Sequence, residues 1–188
     1  ALLAGMITAW AVFGQHRAAP GSRLAGRQTQ ATRRASPAAR ATPSLSPPVP
    51  APGDGPIVVA MAPGMSQAPD AAQVDGFLVS YFTAINTHDY RQYERLLVPS
   101  RRAELTAADF ARGYGTTTDT GASIVGISPT AGGVAATVSF TSEQRTAPGA
   151  GVTACMLWDI TLYLRKQDGT LLIGSPPPAY HAYHRACP

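Results

Sequence analysis

The residue types able to move a proton in this chain are Tyr81, Asp109, Tyr114, Asp159 and Tyr163, and each also has a plain structural role. A phenol or a carboxyl group can serve as a general acid or base when its pKa is tuned towards the working pH. Tyr81 lies on the apolar face of a helical repeat, where a tyrosine packs with its hydroxyl satisfied. Asp109 reads as a helix-start carboxylate three residues after Thr106, and Asp159 as a strand residue that faces solvent opposite Trp158 or pairs with an arginine on a neighbouring strand. No two of them share a spacing that a reaction requires, so the residues alone define no catalytic site. His181 and His184 are the only imidazole pair at close spacing. On a helix they would share a face and begin a zinc site, whereas on a strand they would point to opposite sides. No third or fourth ligand accompanies them, so no metal is expected. Gly-x-Ser-x-Gly, His-Glu-x-x-His and a phosphate-cradling glycine loop are absent from the sequence, which removes the reaction classes they serve. No cofactor is expected.

Cys155 and Cys187 are the only cysteines. Their single intramolecular connectivity would tie the C-terminus to a long strand, and such a bond persists in an oxidising compartment.

The elements that must position these groups occupy residues 70–188. Val74, Phe77, Leu78, Tyr81, Phe82 and Ile85 mark an amphipathic helix that Asp70 can cap and Asn86-Thr87-His88 ends. A second helix runs from Asp89 to a stop at Pro99. A third starts at Thr106 with Asp109 as a capping-box partner, presents Phe110, and ends near Gly113 and Gly115. Beyond Gly115 the hydrophobic period changes to two. Ser123 to Ile127, Val134 to Phe140, Met156 to Leu164 and Thr170 to Ile173 read as four strands. Gly132-Gly133 and Gln167-Asp168-Gly169 are their turns. Three helices followed by an antiparallel meander is an α+β arrangement with the helices on one side of the sheet.

The first third is of another kind. The 188 residues carry a net charge of +4, yet no acidic residue precedes Asp54, while Arg17, Arg23, Arg27, Arg33, Arg34 and Arg40 all do. From residue 70 onward nine basic residues face ten acidic ones, so the folded part is near neutral and nucleic acid is not an expected partner. Residues 1–14 are uncharged and apolar, matching a signal-peptide core or part of a membrane anchor. Residues 15–69 are rich first in arginine and then in Pro, Ser and Thr, the composition of a disordered, extracytoplasmic stalk.

The run Tyr81-Phe82-Thr83-Ala84-Ile85-Asn86-Thr87-His88-Asp89-Tyr90 resembles the first helix, and the step into the second, of the nuclear transport factor 2-like superfamily. Phe110 to Thr117, Val138 to Ser142, Cys155 to Tyr163 and Thr170 to Ile173 resemble its later elements, as found in exported actinobacterial members of unknown function. The resemblance covers roughly residues 70–188. It implies a cone of three helices against a curved antiparallel sheet of about four strands. It also implies that Tyr81, Phe110, Tyr114, Trp158 and Tyr163 line the mouth of the cone, where Tyr81, Tyr114 or Asp159 would act in an isomerase- or cyclase-like member. The reading favoured at this level is a non-catalytic extracytoplasmic binding or protein-interaction domain, membrane-anchored or secreted. Its partners would be a small apolar ligand, a second copy or an envelope protein. A scaffold subunit of a conjugation or type IV secretion-like complex is the alternative, and a small-molecule isomerase or cyclase the next.

Overall fold

A computed structural model describes residues 57–146 and 151–188. The apolar leader, the arginine-rich stretch and most of the proline-rich stretch therefore lie outside the described residues. Among the described residues no helix is long and apolar enough to cross a membrane.

Among the described residues the architecture is α+β, with four helices and a mixed six-stranded sheet. A two-residue strand β1 (Ala60–Met61) and a 3-10 turn (Met65–Gln67) precede helices α1 (Ala71–Asn86), α2 (Tyr90–Arg95), α3 (Pro99–Arg102) and α4 (Ala107–Tyr114). Strands β2 (Thr117–Thr130), β3 (Gly133–Arg145), β4 (Val152–Gln167), β5 (Thr170–Ile173) and β6 (Tyr183–Ala186) follow. The sheet order is β1-β2-β3-β4-β5, and β6 pairs with β4 beside β5.

The expected α+β class holds, but three details differ. The second helix ends at Arg95, short of Pro99 as expected, but Pro99 then opens a further helix. It sits at the start of α3, where its missing N–H and fixed φ are tolerated, and so makes a fourth helix. The described residues form six strands rather than four, and β1 lies parallel to β2, so the sheet is mixed. Asp70 occupies the position before α1 but makes no capping bond. Its carboxylate instead accepts from the Lys166 Nζ at 2.7 Å, tying the helix start to β4. By contrast Asp89 caps α2 through the Gln92 N–H, and Thr106 with Asp109 forms the capping box of α4.

The fold also reaches upstream of Asp70, since Val59 is buried and Ile57, Met61 and Met65 pack against the core. That core lies between α1 and one face of the sheet. Val74, Leu78, Phe82 and Ile85 meet Ile124, Val134, Val138 and Leu164, all nearly inaccessible. Cys155 and Cys187 form a disulfide with Cα atoms 5.4 Å apart. It fastens β6 to the start of β4, and the Cys187 N–H donates to the Cys155 carbonyl at 3.1 Å.

Candidate functional site

Strand register decides which side chains reach the covered face. In β4 the residues paired with Phe140, Ser142 and Val138 are Trp158, Met156 and Ile160, all on the helix side. Tyr163 and Asp159 alternate with them and point away from the helices. Asp159 is exposed, opposite Ser139 and Tyr183. Tyr163 is half-buried against Tyr180 on that outer side, with ring centroids 5.4 Å apart. The Tyr180 hydroxyl accepts from the Thr161 N–H at 2.6 Å, satisfying β4 in the gap between its partners β5 and β6. These two members of the expected site are thus not with the others.

Tyr81, Phe110, Tyr114 and Trp158 do belong to one aromatic assembly. Tyr81 of α1 lies 5.8 Å from Tyr93 of α2, and Tyr93 lies 5.0 and 5.6 Å from Phe110 and Tyr114 of α4. In the other direction Tyr81 meets Phe82, Phe82 meets Phe140, and Phe140 stacks with Trp158 at 6.4 Å. Trp158 in turn meets His184 of β6 at 4.5 Å. His184 is therefore an aromatic neighbour on a strand, with His181 exposed just outside it. Among the described residues no three metal-ligating side chains come together.

The residue that gives this assembly chemistry is Asp119, which alternation along the strand does not single out. It is 4 % exposed and stands opposite Ser142 of β3. Two devices put it there. A bulge between Thr120 and Ser123, with Gly121 at a φ of 63°, adds a residue to β2. The bulge switches the alternation, so that Thr117 and Asp119 share the buried side with Ala122 and Ile124. The second device is Asn86 at the end of α1. Its Nδ2 donates to the Asp119 carbonyl at 2.8 Å, and its Oδ1 accepts from the Asp119 N–H at 2.7 Å. The His88 Nε2 reaches the Thr117 carbonyl at 3.1 Å and extends the same clamp.

Electrostatics follow from this placement. Burial pushes the Asp119 carboxyl up from 3.8 to about 7, against the hydrogen bond from Ser142, which pulls the other way. One of its oxygens, Oδ1, is buried without a hydrogen-bond partner. Tyr81, Tyr114 and Tyr93 join their hydroxyls in a row with Tyr114 in the middle. All three phenols are held well above their ordinary range, first by burial and also by the nearby Asp119 charge. Tyr114 is the half-buried member and links the row to the surface. A neutral or ionised carboxyl beside a row of phenols can accept or donate hydrogen bonds to one polar group of a guest, or exchange a proton with it.

Asp109, the remaining candidate, is away from this group. Its carboxyl is held below the usual range by its bonds to Thr106, and it pairs with Arg112 at 3.1 Å on the helix surface. Comparison of the chain with protein-family models, with curated proteins and with solved structures finds no match.

Proposed function

We propose that this is a non-catalytic extracytoplasmic binding domain, carried behind its N-terminal segment, that receives a small and mainly apolar molecule between the helices and the sheet. The observation that supports the reading is the Asp119 Oδ1, buried and unpartnered. Leaving a polar group so placed costs about 1–3 kcal/mol, and a bound molecule, an ion or an ordered water that meets the group removes that cost. The apolar body of the guest would lie against Tyr81, Phe110, Tyr114 and Trp158, and its polar group would meet Asp119. The disulfide supports an oxidising compartment. The likeness of residues 70–188 to the nuclear transport factor 2-like superfamily supports a cone, and the apolar leader supports a membrane tether.

One observation favours a second reading, an isomerase or cyclase acting by acid–base transfer. A carboxyl near pH 7 beside a phenol row is suited to passing a proton at neutral pH. Titration of the isotopically methyl-labelled protein with toluene, benzyl alcohol and benzylammonium tests binding. We expect at least one of the two polar probes to shift the methyl signals of Ile124 and Val138 saturably, and Asp119→Leu to weaken that probe at least tenfold while leaving toluene unchanged. Absence of saturable shifts with all three probes, or identical titrations of both proteins, would overturn the reading. Deuterium uptake at the α-carbon of phenylacetone above the buffer rate, lost in Asp119→Asn, would replace it with the enzymatic one.

A further inference from the structure

We infer that the guest's polar group is a cation: the interior around Asp119 is built for a small organic ammonium whose charge meets the carboxylate and whose body is enclosed by aromatic rings. The inference rests on the binding function proposed above and narrows its ligand class.

A carboxylate removed from water requires a proton, a cation or several donors. The groups facing Asp119 supply only part of this. Ser142 of β3 gives one hydroxyl, Asn86 of α1 binds the main chain, the His88 ring is turned to the Thr117 carbonyl, and Tyr81, Tyr93 and Tyr114 approach from α1, α2 and α4 as neutral phenols. The cations in the described ion pairs each have a carboxylate of their own, although the Arg101 charge also reaches Tyr93 of the phenol row. Arg101 of α3 pairs with Glu104, Arg112 with Asp109, and Lys166 with Asp70. Arg145 is the nearest along the strands, but it bonds to the Thr118 Oγ1 and pairs with Glu143, both on the opposite side of their strands from Asp119 and Ser142. One carboxylate oxygen is left buried without a hydrogen-bond partner.

The surrounding rings select among guests that could complete it. Aromatic faces carry the negative end of the ring quadrupole and attract cations. An anionic guest would meet the carboxylate with the wrong sign. A neutral carbonyl would be held only while Asp119 keeps its proton. An ammonium gives the free oxygen a donor and a counter-charge at once, and it does so best when Asp119 is ionised.

Calorimetric titration of the full chain with benzylammonium and its uncharged counterpart benzyl alcohol separates the charge from the body. At pH 8, where benzylamine is still largely protonated, we expect the ammonium to bind at least tenfold more tightly than the alcohol. With its carboxyl near 7, Asp119 is ionised in about nine molecules in ten at pH 8 and about one in a hundred at pH 5. Ammonium affinity should therefore fall roughly 100-fold between these pH values while that of the alcohol does not. Asp119→Asn should abolish the preference for the ammonium and keep the alcohol bound. Tyr81→Leu, which retains the carboxylate, should weaken the ammonium several-fold more than the alcohol and decides the matter if the asparagine variant does not fold. Equal or tighter binding of the alcohol at pH 8, or an ammonium preference that survives Asp119→Asn, overturns the cation and leaves the binding function standing. No heat or competition with either probe overturns both.

Discussion

Asp119 shows how a single buried group makes stability depend on pH. In the unfolded chain its carboxyl loses its proton near 3.8, whereas in the fold it keeps it to about 7. Between these values the folded chain binds the proton and the unfolded chain does not, so stability falls as pH rises. The contribution is complete below about pH 4 and is lost as pH passes through 7, a change on the order of 4 kcal/mol over the window. Asp119→Asn keeps the shape and removes the titration. Thermal unfolding of the variant should show a flatter profile between pH 5 and pH 8, with a higher midpoint than the parent at pH 8. A parent whose midpoint is the same at both pH values would contradict the burial cost. The residues around Asp119 were unequally legible. Tyr81 and Phe110 are marked by helical periodicity, and Trp158 by alternation in a long strand. Asp119 stands in Thr117-Thr118-Asp119-Thr120-Gly121, a polar run without hydrophobic period, and its burial depends on partners distant in sequence.

At the scale of elements, the bulge in β2 explains why that run was unreadable. Counting back from Ile124 in steps of two places Asp119 on the outer side of the sheet. The extra residue near Gly121 reverses the count, and nothing in a single sequence fixes where a bulge falls. Regular features were recovered for the opposite reason: the capping box of α4 and the Asp168-Gly169 turn depend on neighbours only, with φ angles of 49° and 76° in the turn. The end of α1 at Asn86 was visible as a break, but its bonds to Asp119 join positions 33 apart. Gly121 has a φ of 63°, and a Cβ built there meets nothing within 4 Å, so only backbone strain opposes a side chain. Gly121→Val should cost about 1–3 kcal/mol, whereas Gly121→Asn, which tolerates the left-handed region, should cost less. Chemical denaturation of the two variants measures the order, and equal losses would remove strain as the cause.

The whole molecule depends on a link between its last strand and its longest one. β6 pairs with β4 over four residues, Met156 to Asp159 with Tyr183 to Ala186, and a strand that short adds little by itself. What holds it is the Cys155–Cys187 bond across a separation of 32 residues. Closing a loop of that size limits the unfolded chain by about 3–4 kcal/mol in the chain-entropy model. Its removal also frees His184 from Trp158, and leaves the β4 backbone between Met156 and Asp159 without its partner on that side. Reduction, or the double Cys155→Ser and Cys187→Ser change, should therefore act in two ways. The unfolding midpoint should fall by several degrees or more, in line with the lost entropy term. Amide exchange should quicken first at residues 183–186 and along 156–159, while Val134 to Val138, held between β2 and β4, keep their protection. Uniform acceleration across all strands would mean that the bond supports the entire fold rather than one edge. Unchanged exchange at β6 would mean that the strand pairing suffices without it.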